Sequence, residues 1–487
     1  MNKKVYKTVL LLFSFINLLL ILLISCFFIA ETLAIADADP KVGVNIVLNT
    51  EVTDDILVNL GKLGKVLDVL PEIKAVRIKA KVSDLATIQA LPYVEAVNMD
   101  AERTGGPIDT VEVENFSHGL STWNLDAINV TDNSSGVRVV EQDGTGVYVA
   151  VLDTGLLPTW RQYFPEERIA IEYAKCFGGG GGEMGNVSEE PNKWEHDTIS
   201  HGTHVTSTII GYSLGDIPIN GVAPMATIIP VKVLNNNGHG WSSVVARGIE
   251  YIGDLKAGPL ADSPVVINMS LGGPEIDAIE KAAIDYAIAQ GVIIVASAGN
   301  SGEEGMGYPG AYSPVISVAA AGWSFEWPLG NSDWWLNSDV YEDYNWPSAG
   351  DDDEGDDDGS DFPFYFQFYI TDFSSRELAG QDLDVAAPGS WVVGPWQDQM
   401  GKTSYYFAGG TSMASPHVAG VVALMAQKKP DLTASEAESY LESSALSLPP
   451  GSRYVYTPSH ILKTYSWGAD ATGAGLVQAD DALSATP

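Results

Sequence analysis

The sequence predicts an α/β fold: an open, mostly parallel sheet with helices on both faces, preceded by a small α+β domain of ferredoxin-like type. Continuous apolar runs, typical of strands buried on both faces of a parallel sheet, occur at residues 147–152, 227–234, 265–269 and 292–297. Helical patterns lie between these runs, at residues 243–255 and 276–290, and such alternation favours an α/β sheet. The pattern of residues 41–103 predicts the smaller domain.

Composition and charge limit the classes of function. The chain has 487 residues, 45% of them hydrophobic, and this length suits about two or three domains. The net charge of −37 favours solubility and excludes nucleic-acid binding through a basic surface. Cys26 and Cys176 are the only cysteines, so neither a disulfide framework nor a cysteine-rich zinc site is predicted.

Residues 1–36 have the features of an export signal. Two lysines precede an apolar run at residues 9–30, and small residues at 34–38 provide a cleavage site. The run is also long enough to span a bilayer. The alternatives are therefore a cleaved signal peptide of a secreted protein and a retained anchor that holds the chain at the outer face of the cell membrane.

Residues 41–103 predict a compact unit of their own. The order β-α-β-β-α-β of a ferredoxin-like sandwich fits its strand and helix patterns, which lie at 42–48, 54–63, 73–80, 83–91 and 93–99. Such a unit is either an independent binding module or an inhibitory pro-segment, and the motifs described below favour the pro-segment. Residues 104–122 then form an exposed, cleavable linker and the start of the mature chain, and residues 123–487 form the second domain.

Three polar residues stand at the ends of predicted elements. Asp153 ends the first apolar run, His201 begins a helical run, and Ser412 lies on the first turn of a helix that follows two glycines. Taken singly, they are an Asx turn, a member of a histidine pair with His204, and a helix N-cap. No further ligand motif accompanies the histidine pair, so zinc is not predicted.

Taken together, the three residues supply the groups of a nucleophilic hydrolase. Catalysis by a hydroxyl needs an imidazole to accept its proton and a carboxylate to orient the imidazole. Asp153, His201 and Ser412 provide these groups in the chain order Asp, His, Ser. Each is flanked by glycine, which we expect to let a substrate backbone approach.

Three stretches around these residues resemble the signature motifs of the subtilisin-like serine proteases, the subtilases. They are Val-Leu-Asp-Thr-Gly at 151–155, His-Gly-Thr-His-Val at 201–205 and Gly-Thr-Ser-Met-Ala-Ser-Pro-His-Val-Ala-Gly at 410–420. The similarity extends from residue 123 to residue 477, and residues 41–99 are similar to the family's inhibitory propeptide.

The resemblance implies a role for each motif residue. Asp153, His201 and Ser412 would be the catalytic triad, and Asn300 would donate its amide hydrogen to the oxyanion together with the Ser412 backbone N–H. Two segments would bind substrate as an added strand, because main-chain pairing gives affinity with little demand on sequence. The residues of these segments are Gly238, Gly240, Ser270, Leu271 and Gly272.

The resemblance also bears on specificity. Gly307 falls at the floor of the family's S1 pocket, the pocket for the residue before the cleaved bond (P1). A glycine there predicts a deep pocket and a preference for bulky apolar P1 residues. Glu303 and Glu304 lie close in the sequence and favour the alternative of a basic P1 residue.

The sequence departs from the family pattern in three places. The loop at 212–220 lacks the asparagine pattern of the family's high-affinity calcium site, and Gln162 stands where an aspartate is expected, so calcium is expected only as a structural ion at an unassigned site. The chain between Asp153 and His201 contains five consecutive glycines at 178–182. An insertion at 323–372 carries an acidic run, which is either a solvated loop or a weak calcium site.

The sequence as a whole predicts a secreted serine endopeptidase that is made as a self-processing zymogen. It requires no cofactor, and its partners are protein or peptide substrates and its own propeptide, with no nucleic acid and with a membrane only if the N-terminal segment is retained. Two alternatives stay open: a processing protease with a basic P1 preference, and a catalytically inactive surface-binding homologue.

Overall fold

A computed structural model describes residues 39–113, 123–131, 137–178, 189–190, 192–215, 217–324, 326–327, 368–397 and 403–487. The predicted export signal lies outside these residues, as do glycines 179–182 and most of the 323–372 insertion, including its acidic run. Within the described parts of the chain, no helix combines the length and the apolar character needed to cross a membrane.

The N-terminal domain is a four-stranded antiparallel sheet with two short helices. Its elements follow the expected order: β1 (Lys41–Leu48), α1 (Asp54–Leu60), β2 (Gly64–Leu70), β3 (Ala75–Lys81), α2 (Leu85–Gln89) and β4 (Val94–Met99). The strands lie in the order β2-β3-β1-β4. Leu60 and Ile88 of the helices share one core with Val44, Ile46 and Ile78 of the sheet. Helix α1 ends three residues earlier than the pattern predicted, because the next strand already begins at Gly64.

Two short strands, β5 (Glu102–Thr104) and β6 (Asp109–Glu112), lead from the N-terminal domain into the second domain. The elements of the second domain are, in chain order, α3 (Trp123–Asp126), β7 (Tyr148–Asp153), β8 (Lys175–Cys176), α4 (His201–Ile210), β9 (Tyr212–Leu214), β10 (Ile217–Ile219), β11 (Thr227–Lys232), β12 (His239–Trp241), α5 (Ser242–Ala257), β13 (Val265–Met269), α6 (Ala278–Ala289), β14 (Val292–Ser297), β15 (Ile316–Trp323), β16 (Phe368–Ile370), β17 (Val385–Pro388), β18 (Val392–Gln397), β19 (Thr403–Gly409), α7 (Thr411–Lys428), α8 (Ala434–Ser444), β20 (Gly451–Tyr456), β21 (Leu462–Trp467) and α9 (Ala479–Ala485).

The second domain is organised around an open sheet of eight strands. The order is β16-β15-β14-β13-β7-β11-β8, and β17 also pairs with β15. All pairings are parallel except that of β15 with β16. The prediction of an open, mostly parallel sheet is therefore confirmed.

Helices cover both faces of this sheet. Val149 and Val151 of β7 face one core with helices α4 and α7, whereas Ala150 and Leu152 face a second core with α5 and α6. Successive side chains of a strand point to opposite faces, so a strand covered on both sides must be apolar at every position. This double burial is the physical reason for the continuous apolar runs in the sequence.

The N-terminal domain lies over the N-termini of α5 and α6. Apolar residues of its sheet, Leu70 and Ala75, join the core formed by these two helices. Asp100 accepts a hydrogen bond from the backbone N–H of Ser243 at 3.0 Å, in the first turn of α5. A carboxylate is stabilised there by unpaired backbone N–H groups and by the positive end of the helix dipole.

Candidate active site

Asp153 and His201 are in contact at the carboxyl edge of the sheet. Asp153 is the last residue of β7, and its Oδ1 lies 2.7 Å from Nδ1 of His201, the first residue of α4. Both side chains are fully buried. The backbone N–H of Thr154 donates to the same Oδ1 at 2.6 Å, while no described residue forms a hydrogen bond with Oδ2. The carboxylate therefore holds the imidazole with Nδ1 as donor and Nε2 directed away.

Glycines of the first two motifs bring these residues together. A Cβ on Gly202 would lie 2.3 Å from the carbonyl oxygen of Gly155, and a Cβ on Gly155 would lie 2.2 Å from that of Trp194. The turn after β7 thus contacts the first turn of α4 at a distance that only glycine permits. The expectation that these two glycines admit a substrate backbone is wrong, because Gly202 makes room for the main chain of Gly155 and Gly155 makes room for that of Trp194.

Ser412 is the second residue of α7 and lies in the same cleft. Its Oγ donates to the carbonyl oxygen of Ser270 at 3.2 Å, and Oγ of Ser270 donates in return to the Ser412 carbonyl oxygen at 2.8 Å. In the part of the chain that the structure describes, Nε2 of His201 has no hydrogen-bond partner. The carboxylate–imidazole contact is thus formed, whereas the serine–imidazole contact is not formed in this conformation.

Asn300 is tied to the same helix terminus. It follows β14, and its Oδ1 accepts from the backbone N–H and the Oγ1 of Thr411, at 2.9 and 2.8 Å. Within the described structure, its Nδ2 has no hydrogen-bond partner and lies 3.7 Å from the Cβ position of Gly410. The side chain is therefore fixed through its oxygen, which leaves its two N–H groups for another acceptor.

Strand β5 lies in the cleft between the two predicted substrate segments. Thr104 and Gly272 exchange backbone hydrogen bonds of 2.9 Å in both directions, and Gly105 donates to the Gly238 carbonyl at 2.9 Å. On the same side, β5 pairs antiparallel with β12, which contains Gly240. The linker expected to be exposed is thus an added strand with partners at both edges.

The cleft ends in a cavity of about 690 Å³ beside the chain at Gly106. A Cβ on Gly106 would meet nothing within 4 Å. The cavity is lined on one side by glycines, among them Gly299 and Gly307, and by Leu271 and the exposed Glu304. Gly307, predicted at the floor of the S1 pocket, therefore lies at a cavity that the linker leaves open.

The comparison with known proteins decides the family. The model described as "Subtilase family" matches residues 144–468, which include all three motif residues. The chain belongs to the subtilase family. It is a serine endopeptidase, as its similarity to curated subtilisins also supports. The catalytic roles of the individual residues remain predictions from the motifs.

This subtilase is similar to several characterised relatives. It is 32% identical to subtilisin DY of Bacillus licheniformis over 317 residues, which is 64% of this chain and 88% of the relative. It is 29% identical to a thermostable alkaline protease of Halalkalibacterium halodurans over 386 residues, 79% of this chain and 81% of the relative. Among solved structures, fervidolysin of Fervidobacterium pennivorans, described as a keratinolytic enzyme related to subtilisin, aligns with a TM-score of 0.61 and 26% identity. That alignment covers 91% of this chain and 61% of fervidolysin.

A second set of buried charges supports the turn after β7 in the subtilase. Thr154 Oγ1 donates to Asp197 at 2.9 Å and accepts from the backbone N–H of Gly202 at 2.9 Å. Burial raises the pKa of Asp197 to about 6, and burial lowers the pKa of Lys232, whose Nζ donates to the Thr154 carbonyl. Sequence reasoning missed both residues. The available signal was an acidic residue four positions before His201.

The histidine of the second motif that follows His201 is a packing residue. Nε2 of His204 lies 3.0 Å from the carbonyl oxygen of Val392, and burial lowers the pKa of His204 to about 4. A neutral histidine that is held by a backbone carbonyl fits a core position.

Three carboxylates outside the motifs could hold a cation. Asp382, Asp384 and Glu438 each offer an oxygen, and these oxygens lie within 4.8 Å of one another. Asp384 is buried, and its Oδ1 has no hydrogen-bond partner among the described residues. An oxygen-only donor set with one unsatisfied buried carboxylate oxygen fits a hard cation such as calcium.

Proposed function

We propose that this subtilase is a secreted endopeptidase made as a self-processing zymogen, with Asp153, His201 and Ser412 as its triad. The observation that carries the proposal is strand β5, which joins the N-terminal domain to the catalytic domain and pairs with both substrate segments. The chain's own linker thus lies where a substrate strand would bind. Secretion is proposed from the export signal predicted in residues 1–36, with retention at the outer membrane face as the alternative.

The proposed mechanism uses the groups of the cleft in order. Ser412 turns its Oγ from Ser270 to the free Nε2 of His201 and attacks the scissile carbonyl carbon, while Nε2 accepts the hydroxyl proton. Asp153, which accepts from Nδ1 at 2.7 Å, stabilises the imidazolium that results.

Developing charge on the substrate oxygen is met by hydrogen-bond donors. Nδ2 of Asn300 and the backbone N–H of Ser412, at the positive end of α7, donate to the oxyanion. His201 then gives its proton to the leaving nitrogen, and an acyl-enzyme on Ser412 remains. Water, activated by the same imidazole, hydrolyses this ester and restores the free serine.

The first substrate in this proposal is the linker itself. Thr104 and Gly105 are paired upstream, and Ile108 donates to the Gly409 carbonyl downstream at 2.7 Å. The residues between, Gly106 and Pro107, have no such pairing and lie beside Gly410 and Ser412. We therefore expect the first cut within residues 105–108, after which the N-terminal domain stays bound as an inhibitor.

The proposed preference at P1 is a bulky apolar residue. The cavity next to Gly106 is large and bordered by the glycines at 299 and 307, so it has room for an aromatic or long aliphatic side chain. Glu304 is exposed and also borders this cavity. A basic P1 residue, placed near that carboxylate, is the alternative.

The test compares the wild-type chain with Ser412→Ala and with Ser443→Ala, a matched change at an exposed serine of α8. Intact mass and N-terminal sequencing are measured after expression of the full chain. We expect wild type and Ser443→Ala to be cut within residues 105–108 and Ser412→Ala to stay joined there. The same cut in all three chains would overturn the zymogen proposal.

A further inference from the structure

Strand β5 presents one side chain, Arg103, to a pocket of the catalytic domain. The backbone of Arg103 pairs with Gly240 in β12, next to the pairing of Thr104. The side chain is fully buried. Because β5 occupies the groove as an added strand, Arg103 takes the place of a substrate residue three positions before Gly106.

The pocket matches a guanidinium group. Nε and Nη2 of Arg103 donate to the two carboxylate oxygens of Glu280 at 2.9 and 2.7 Å. Nη1 donates to the Glu102 carbonyl and Nη2 also donates to the Glu275 carbonyl, both at 3.0 Å. Such a bidentate, charge-assisted pair depends on the planar fork of arginine, which lysine lacks.

The wall of the pocket is formed by backbone at Gly273. A Cβ there would lie 3.0 Å from Nη1 of Arg103 and 2.3 Å from the Glu102 carbonyl oxygen. The width of the pocket therefore depends on the absence of a side chain at Gly273. Its floor is Glu280, a residue of α6 that is fully buried.

Glu280 differs from the other acidic residues near the domain junction. In the described structure, its carboxylate has Arg103 as its one hydrogen-bonding side chain. Asp277, by contrast, accepts from the backbone N–H of Glu280 at 3.0 Å and from Ser242 at 2.7 Å, both in the catalytic domain. When β5 leaves the cleft, Asp277 keeps these partners, whereas Glu280 loses its cation. A buried carboxylate without a partner is unfavourable, so the empty pocket favours a new cation.

We infer that Glu280 is a specificity determinant of this subtilase and selects arginine at one position of a substrate. This position is the one that Arg103 occupies here, three residues before the substrate residue that takes the place of Gly106. The inference rests on the proposed function, because it takes β5 as the image of a bound substrate. A leucine at this position leaves the carboxylate unpaired, and a lysine gives a single contact in place of the fork.

The test measures kcat/KM of the mature protease on internally quenched peptides that differ only at this position. The sequence X-Thr-Gly-Phe precedes the cleaved bond, and X is arginine, citrulline, lysine or leucine. We expect the arginine peptide to exceed the leucine peptide by about 10- to 100-fold, since removing one partner of a buried pair has effects of this order. Citrulline keeps the shape of arginine without its charge, so its peptide should behave like the leucine peptide.

Two protein variants test whether Glu280 causes the preference for arginine. Glu280→Gln should reduce the arginine-to-leucine ratio to about one, mainly through loss on the arginine peptide. Asp285→Asn is the matched control, because Asp285 lies on the same helix, is exposed and pairs with Lys281, and it should keep the ratio. If Glu280→Gln does not fold or mature, the test is the comparison of kcat/KM for the arginine and citrulline peptides with wild-type enzyme.

The outcomes separate this inference from the proposed function. Equal hydrolysis of the arginine, citrulline and leucine peptides, or a preference that survives Glu280→Gln, would overturn the role of Glu280 and leave the zymogen proposal intact. Hydrolysis of these peptides that persists in Ser412→Ala would instead overturn the proposed triad.

Discussion

Two buried carboxylates, Asp153 in the cleft and Asp100 at the domain junction, are used in opposite ways. Asp153 has one oxygen bonded to His201 and to a backbone N–H, and its other oxygen has no partner. Asp100 has both oxygens occupied. Its partners are Asn45, Arg77, Ser242 and Ser243, the last through both its backbone N–H and its hydroxyl.

The number of hydrogen bonds to each carboxylate indicates which one is available for chemistry and which one only joins the domains. A saturated carboxylate at a helix N-terminus holds two domains together and has no capacity left for chemistry. In the pair of Asp153 and His201, Nε2 of His201 has no hydrogen-bond partner among the described residues. It can therefore accept the proton of a nucleophile. We therefore expect changes in the cleft to alter the rate and changes at the junction to alter the lifetime of the inhibited state.

The largest effect is expected for Asp153→Asn. The amide preserves shape but favours the wrong tautomer of His201, so kcat should fall by about 10⁴-fold. The melting temperature should stay within a few degrees of wild type. Steady-state kinetics and calorimetry on the same preparation test this. A fall of less than tenfold would remove Asp153 from the triad.

Asn300→Ala should lower kcat by about 10²- to 10³-fold with little change in KM, because the amide donates to charge that exists only in the transition state. Thr411→Val is the control, since it removes one contact to the Asn300 oxygen and leaves its N–H groups in place. If both variants lost activity equally, the role of Asn300 would be to position the helix terminus.

Asp100→Asn should act at the junction alone. It removes the buried negative charge that Arg77 contacts at 2.6 Å, so the cleaved N-terminal domain should dissociate about 10²-fold more readily, while kcat of the free protease stays the same. The delay between the first cut and full peptidase activity measures this. Asp55→Asn, an exposed change in α1 of the same domain, should preserve the delay.

The smallest effect is expected for a third buried carboxylate, Glu326, which has hydrogen-bond donors but no cationic partner among the described residues. It accepts from the backbone N–H of Trp323 and from the hydroxyls of Tyr369 and Ser390, and burial raises its pKa to about 8. In the unfolded chain the pKa returns to about 4.3. The folded state then binds more protons between these values, so stability should fall as pH rises from about 4.5 to 8.

Thermal unfolding between pH 5 and pH 9 tests the Glu326 prediction. The difference in melting temperature between wild type and Glu326→Gln should change by a few degrees across this interval, with wild type losing more as the pH rises. The measurement is made on Ser412→Ala chains, which prevents self-digestion. A difference that is independent of pH would contradict the prediction.

Much of the sheet could be predicted from the sequence, because its strands are covered on both sides. The runs at 265–269 and 292–297 match the bounds of β13 and β14, since burial on two faces demands apolar residues along the whole strand. Strands β17 to β19 were not assigned. Strands β17 and β19 pair with β15 and β6, which lie far away in the chain, and local patterns carry no record of such partners; β18 pairs in turn with β19.

The residues of the candidate site could be predicted where they lie in short sequence motifs. They could not be predicted where they contact residues that are far away in the sequence. Asp153, His201 and Ser412 could be found because each lies in a motif of several residues. Arg103 and Glu280 are 177 positions apart, and each alone has the pattern of a solvated surface residue. Only the path of β5 through the cleft brings them together.

In the proposed zymogen, the absence of a side chain at Gly106 would set how activation is timed. The tail left after the first cut would be held in its groove by main-chain bonds and one arginine, and Gly106 would place no side chain in the cavity beside it. Its hold therefore depends on the folded domain upstream, whose small core rests on residues such as Val44 and Ile78. In this proposal, the rate at which that small domain unfolds sets the time before the enzyme is released, and removing a single methyl group from its core should shorten this time.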